Sequence, residues 1–165
     1  MSKVYAGRYT AQPDQDVTVF LIGMRINKVH RPDKWVPVVN AMPRMLKHLV
    51  THPDAGLLGF HNWFGRTTLL LSYWQSSQHL RRFASDNEAP HAEAWRAFRR
   101  NVGDDGIVGI WHETYDVPAQ NLEVVYGNMP RFGLGKATAQ VPVGRGSHTA
   151  KQRINRLRDT TSAVG

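Results

Sequence analysis

The alternation of apolar and polar residues divides the chain into strands and helices. Apolar and β-branched side chains dominate residues 17–26, which predicts a buried strand. Residues 33–50 place apolar side chains at positions i, i+3, i+4 and i+7, the spacing of an amphipathic helix with Asp33 as its N-cap. Because proline lacks a backbone N–H group, Pro37 and Pro43 should bend this helix or delay its start.

Five further segments continue the pattern. They are strands at residues 56–64, 67–74 and 106–115 and helices at residues 76–85 and 87–101. The predicted order is therefore βαββαβ. This order is typical of an α+β, ferredoxin-like domain, in which an antiparallel four-stranded sheet carries helices on one face.

An internal repeat supports this order. The strings HPDAGLLGFH and VGDDGIVGIW both contain Asp-x-Gly, two aliphatic residues, a second glycine and a large apolar residue. Asp54 and Asp104 stand 50 positions apart, so each copy is one supersecondary unit. We predict that each Asp-x-Gly is the turn that starts a returning strand. The second glycines, Gly59 and Gly109, predict close packing across the sheet.

Because helices cover only one face of the predicted sheet, the opposite face must be buried by something else. On the second strand His61 and Trp63 share one face, and on the last strand Trp111, Glu113 and Tyr115 share one face. An apolar face with scattered polar groups is typical of a dimer that encloses a cavity.

Composition and charge limit the class of protein. The chain has 165 residues, one domain's worth, and a net charge of +8. Five of those charges belong to residues 136–165, so we predict a domain over residues 1–135 and a flexible basic tail over residues 136–165. The near-balanced body argues against nucleic-acid binding. Without cysteine, a signal segment or a long apolar run, we expect a cytoplasmic protein with no membrane contact.

Strong catalytic motifs are missing, so candidate residues come from placement alone. The chain has no Walker A, HExxH, Gly-x-Ser-x-Gly or cysteine-based zinc motif. His91 and Trp95 share one stripe of the predicted helix at residues 87–101. His91 is therefore a candidate haem ligand or acid–base group, and the structural alternative is a partly buried histidine bonded to a backbone carbonyl.

Four further candidates lie on or at the ends of strands. Glu113 is a candidate base if it faces a cavity, and a structural ion pair with Arg25 is the alternative. Asn27 and His61 lie where polar groups can project into a pocket, but packing or turn capping also explains them.

Several strings resemble a known family. GMRINK, KWVPVVNAMPRML, YW, HAEAWRAF, VGIWHETY and VYGNMP, spread over residues 17–134, resemble small monooxygenase-like proteins of bacteria and fungi in the dimeric α+β barrel superfamily. The resemblance implies a homodimer with a pocket in each protomer. It also implies a choice of chemistry, because antibiotic-biosynthesis monooxygenases of this superfamily use no cofactor. Haem-degrading monooxygenases, aldoxime dehydratases and dye-decolourising peroxidases use haem.

The resemblance extends to single positions of a haem pocket. His91 is similar in placement to the iron-binding histidine of the haem-degrading relatives, and Trp74 and Asn27 are similar to the tryptophan and asparagine of the same pocket. The resulting hypothesis is a monooxygenase-like enzyme of secondary or detoxifying metabolism that acts on a hydrophobic small molecule. His91 would bind haem iron, Trp74 and Trp95 would form the pocket wall, and Arg25 or Asn27 would polarise dioxygen or substrate.

Three alternatives stay open. Without haem, Glu113 or His61 would act as the base that activates an electron-rich substrate for dioxygen. A haem-dependent dehydratase of aldoxime type is the second alternative. The third is a non-catalytic dimer that binds haem or another small ligand, with the basic tail recruiting an acidic partner.

Overall fold

The computed structural model describes residues 2–86 and 102–162 and, between these ranges, residues 92, 96, 98 and 99. The described strands are β1 (Tyr5–Ala11), β2 (Val17–Ile26), β3 (Leu57–Trp63), β4 (Leu69–Trp74), β5 (Val108–Val117), β6 (Tyr126–Met129) and β7 (Gln140–Pro142). The described helices are α1 (Pro32–Thr51), α2 (Ser77–Ser85), α3 (Gly133–Ala137) and α4 (Ala150–Ser162).

Two antiparallel sheets organise the chain. The larger sheet has the order β3-β4-β2-β5, and the smaller has the order β6-β1-β7. The larger sheet is the predicted βαββαβ sheet, with the first and third strands of the motif in its centre. The α+β, ferredoxin-like fold class is therefore confirmed. The sequence analysis did not predict the smaller sheet.

The repeated Asp-x-Gly segments form the predicted turns. Gly56 precedes β3 with φ 86° and Gly106 precedes β5 with φ 70°, a left-handed backbone that glycine adopts without strain. The prediction of close packing is confirmed at Gly59, where an added Cβ would lie 3.1 Å from the Cβ of Ala137 in α3. It is wrong at Gly109, where the nearest side-chain atom would be 3.7 Å away, at ordinary contact distance.

Helix α1 differs from its prediction at the N-terminus, where it starts at Pro32 without the delay expected from its prolines. Its N-cap is Arg31, and Asp33 lies in the first turn, where its Oδ1 accepts a hydrogen bond of 2.9 Å from Arg31 Nε. The helix continues through Pro37 and Pro43. Packing compensates for the two missing N–H groups, because the apolar face of α1 contributes to two core clusters on the sheet.

The two faces of the larger sheet are covered differently. On one face α1 and α2 bury Met24, Leu49, Trp74 and Leu80. On the other face Leu134 of α3 packs with Val17, Ala11 and Tyr73, so this chain covers part of that face itself.

The segment predicted as a flexible tail, residues 136–165, contributes folded elements within its described part. Strand β7 pairs with β1, and α4 is held by Arg153, whose Nε donates a 2.6 Å hydrogen bond to Glu123 Oε1. The side chain of Arg153 is only 8% exposed. The described part of this segment thus contains a paired strand and a helix with a buried arginine. The division into a domain and a flexible tail stays a prediction. No helix among the described residues has the length and apolar character needed to cross a membrane.

Candidate functional site

A cavity of about 590 Å³ lies between the larger sheet and α1. Its walls are mainly apolar and come from the helix-covered face of the sheet and from α1. The wall residues include Ile22, Met24, Leu70, Val38, Met42 and Met45. The volume falls within the range of small-molecule sites, about 300–1,000 Å³. The cavity is therefore a candidate binding site on the helix side of the sheet.

Among the described residues that line this cavity, four have polar side chains: Asn62, Thr68, Arg96 and His112. The hydroxyl of Thr68 already takes part in a hydrogen bond within the protein, because its Oγ1 accepts one of 3.0 Å from the backbone N–H of Met24. His112 is exposed and makes a ring contact with Phe20 at 5.8 Å between centroids, and no hydrogen bond joins its imidazole to another described residue. The described lining contains a guanidinium and an imidazole but no carboxylate, so its charge favours neutral or anionic ligands.

A second cavity of about 140 Å³ lies beside the first and ends at Trp74. Trp74 is 2% exposed, and its Nε1 donates a 3.0 Å hydrogen bond to Ser72 Oγ. Its ring lies 5.6 Å from the ring of Phe83 in α2. Trp74, predicted to form a pocket wall, therefore borders the smaller cavity and does not appear in the described lining of the larger one.

Arg25 and Glu113 lie on the opposite face of the sheet from the larger cavity. In the register of β2 and β5, Arg25 stands opposite Gly109 and Glu113 stands opposite Leu21. Arg25 Nη1 donates a 2.7 Å hydrogen bond to Thr67 Oγ1, and Glu113 Oε2 accepts one of 2.7 Å from the Tyr115 hydroxyl. The alternative of an Arg25–Glu113 ion pair is therefore not what the structure shows. Their catalytic roles stay predictions.

His61 also lies on that opposite face, where it holds α3. Its Nε2 accepts a hydrogen bond of 2.9 Å from the backbone N–H of Gly133, and its ring lies 4.1 Å from that of Phe132. Partial burial lowers the pKa of the imidazole, and the nearby Lys136 charge lowers it further. Because Nε2 accepts, the described geometry requires the neutral imidazole.

Asn27 occupies the end of β2 and binds the turn before β5. Its Nδ2 donates a 3.1 Å hydrogen bond to the carbonyl of Gly106, and its backbone N–H donates to Ile107 O at 3.0 Å. This is the turn-binding role that the sequence analysis left as the alternative. The described lining of the larger cavity does not include Asn27.

His91 and Trp95 lie outside the described residues, so their predicted roles stay predictions. Three described residues of the same segment, Ala92, Arg96 and Phe98, line the larger cavity. The segment that carries His91 therefore borders the candidate site.

The sequence analysis missed His112. His112 and Glu113 are neighbours on β5 and therefore point to opposite faces of the sheet, and only Glu113 was a predicted candidate. The sequence did contain a signal for His112. Val108 and Ile110 are apolar residues two positions apart, and His112 continues this spacing, so all three lie on the face of β5 that meets the core.

The described lining fits a haem group in its chemistry. Haem requires an axial ligand such as an imidazole and a pocket whose polarity the protein sets, and its carboxylates favour a nearby cation. His112 supplies an imidazole, Arg96 a guanidinium, and the apolar wall the surface for a macrocycle. Within the described part of the chain, no group of three or more metal-binding side chains is arranged around a common point.

Comparison with known proteins finds a sequence relative and structural neighbours. The chain is 29% identical over 164 residues to a monooxygenase af470 of Aspergillus fumigatus, with 86% of this chain covered. It spans 58% of the length of that curated relative. An aldoxime dehydratase structure superposes on 87% of this chain and 45% of its own, with a TM-score of 0.60 at 15% identity. A cofactor-independent oxygenase from Streptomyces nogalater matches 61% of this chain and 91% of its own, with a TM-score of 0.43 at 15% identity.

The family model described as monooxygenase af470-like matches residues 17–134. This range covers the whole βαββαβ sheet and is the range over which the sequence resemblance extends. The expected membership is confirmed: this chain belongs to the monooxygenase af470-like family.

Proposed function

We propose that this chain is a monooxygenase-like enzyme that oxidises a hydrophobic small molecule bound in the larger cavity. The cavity carries the proposal, because its volume of about 590 Å³ suits a small molecule and its described lining is mainly apolar, with few polar groups. Family membership supports the reaction class. We also propose that the enzyme works as a cytoplasmic homodimer in secondary or detoxifying metabolism, as the resemblance implies.

In the version without a cofactor, the substrate must provide all the electrons. A CH₂ carbon flanked by aromatic or carbonyl groups would lose both hydrogens and gain one oxygen atom of dioxygen as a carbonyl. The other oxygen atom would leave as water with those two hydrogens. This step needs a base for the first proton, and we assign it to His112, the imidazole of the described lining. His61 and Glu113, the bases predicted from sequence, are absent from that lining.

The haem version remains part of the proposal. His91 would bind the iron, and Arg96 would pair with a propionate while the apolar wall contacts the macrocycle. Haem would then supply the oxygen-activating redox chemistry. His112 would be left to bind the substrate or to move its proton.

The cofactor-free version can be tested with 9-anthrone, whose CH₂ group lies between two aromatic rings. We expect the wild-type chain to accelerate dioxygen uptake and anthraquinone formation in equal amounts. Met42→Trp, which fills the cavity, should abolish both binding and turnover. His112→Gln should lower kcat much more than it raises KM, while His30→Gln, at an exposed loop position, should change neither.

Binding of anthrone without turnover would favour the non-catalytic alternative, and absence of binding would reject the cavity as the site. For the haem version, we would titrate the wild-type, His91→Ala and His112→Ala proteins with haemin. A stoichiometric Soret band that changes in His91→Ala supports it, and an unchanged band rejects His91 as the ligand. A haem-loaded protein that dehydrates phenylacetaldoxime would favour the dehydratase alternative.

A further inference from the structure

The two cavities of the helix side share a wall. Four residues line both of them: Ile22, Met45, Leu70 and Ala84. The larger cavity continues from this wall toward the exposed Phe64, Arg96 and His112, and the smaller one continues toward Trp74 and Leu80. They therefore lie in series between α1, α2 and the sheet.

Two residues of the shared wall have side chains that leave room for a change of shape. Met45 has an unbranched side chain with several rotatable bonds, which fills gaps and changes shape easily. Ala84, which α2 contributes to the same wall, has the smallest side chain of the four. A rotation of the Met45 side chain would therefore change the space between the two cavities more readily than a movement of the backbone.

Among the described residues that line the smaller cavity, every polar side chain already has a hydrogen-bond partner. Its polar side chains are Ser72 and Trp74, and they satisfy each other through the Trp74 Nε1 to Ser72 Oγ bond. The Ser72 hydroxyl then donates to Phe20 O at 3.0 Å. Water gains little in such a space, and an empty one costs stability because its lining atoms lose dispersion contacts. A hydrocarbon group would recover those contacts.

We infer that the two cavities form one site for a two-part ligand, with a ring system in the larger cavity and an unbranched hydrocarbon tail in the smaller one. This inference rests on the proposed function, in which the larger cavity holds the substrate. If the inference holds, the length and the polarity of the tail determine how tightly a ligand binds. Ala84 is then the residue that determines whether a tail is accepted.

A series of 4-alkylphenols tests the inference by calorimetric titration of the full chain. From methyl to pentyl, we expect the affinity to rise about fourfold per methylene, since a buried methylene contributes about 0.8 kcal/mol. The gain should stop once the tail exceeds the smaller cavity. A terminal hydroxyl on the pentyl tail should lower the affinity about tenfold or more, because it finds no partner there.

Two alanine-to-leucine variants separate the tail from the ring. Ala84→Leu should remove the gain per methylene, so that in this variant every member of the series binds with about the affinity of 4-methylphenol. Ala41→Leu, which narrows only the larger cavity, should weaken every member by the same factor. A tail gain that persists in Ala84→Leu would overturn the inference.

Trp74 provides a readout that does not depend on a folded Ala84 variant. A 4-(5-bromopentyl)phenol tail in the smaller cavity should quench the emission of Trp74, and the quenching should be lost in Trp74→Phe. Equal quenching in both proteins would overturn the inference. If 4-methylphenol binds but the tail adds nothing, the tail pocket is wrong and the proposed function stands. If no member binds, the proposed function fails and the inference with it.

Discussion

Gly23 shows how tightly single positions of the sheet are constrained. A Cβ built there would overlap the backbone carbonyl of Thr68 and lie 2.7 Å from Trp111 Nε1. Gly109, on the neighbouring strand β5, has no such conflict, with its closest side-chain atom at 3.7 Å. The two glycines are thus a matched pair in one sheet, one required by close packing and one not.

We predict that Gly23→Ala lowers the free energy of unfolding by about 1–3 kcal/mol, the usual cost of overpacking. The cost arises because β2 and β4 must separate locally to admit the methyl group. Gly109→Ala should change stability by no more than about 0.5 kcal/mol. Urea unfolding of the two variants measures both values, and equal losses would contradict the packing argument.

The hydrogen bond from the backbone N–H of Gly133 to His61 Nε2 forms only when the imidazole is neutral. The pKa of its imidazole is lowered from 6.5 by burial and by Lys136, so the folded chain binds a proton less readily than the unfolded chain. Stability from the Gly133 contact should therefore be present above about pH 6.5 and decline as the pH falls toward the folded pKa. Melting temperatures between pH 7.5 and pH 5 should show this decline.

Two substitutions identify the source of the decline. His61→Gln keeps an acceptor for Gly133 but does not titrate, so its melting temperature should depend less on pH over the same range. His30→Gln removes an exposed imidazole and should retain the wild-type dependence. If His61→Gln keeps the full dependence, the decline originates elsewhere.

At the scale of elements, α4 depends on one buried arginine. Arg153 binds Glu123 and also donates from Nη1 to the carbonyls of Ser147 and His148, at 3.0 and 3.1 Å. Arg153→Met should lower the free energy of unfolding by about 1–3 kcal/mol, because these acceptors lose their donor. Hydrogen exchange in Ala150–Ser162 should accelerate. Lys151→Met, an exposed change on the same helix, should leave exchange unaltered and serves as the control.

The elements that sequence predicts are those whose signal is local. The alternation of β2 and the Asp-x-Gly turns lie within a few positions and identify the larger sheet. Strands β1 and β6 pair across the chain, as in the bond from Gly7 N–H to Asn128 Oδ1, 121 positions apart. Neither segment has a long alternating pattern, so its partner decides its structure. The early start of α1 has the same cause, since packing of its apolar face on the sheet outweighs the local cost of its prolines.

At the scale of the molecule, the sequence indicates which residues share a face but not which face borders the cavity. Alternation separates His112 from Glu113 correctly. Choosing between them requires knowing that α1 leaves space beneath it, which depends on the sizes of side chains brought together from α1, β2 and β4. The position of the site is therefore a property of packing, which the alternation of residues along single strands does not reveal.

The uncovered part of the opposite face leads to a prediction about assembly. Trp63 and Tyr115 remain 42% and 50% exposed there, although α3 covers Gly59. We expect two copies to pack these faces together, so the mass by light scattering should be twice the 18.7 kDa of the chain. Tyr115→Arg should shift the protein to monomers, because burying a guanidinium in the interface costs more free energy than its pairing with the neighbouring Glu113 recovers. Val125→Arg changes a similarly exposed residue outside the larger sheet, at 48% exposure, and should leave the mass unchanged. A wild-type monomer at all concentrations, or dissociation by both variants alike, would show that this face is not the dimer interface.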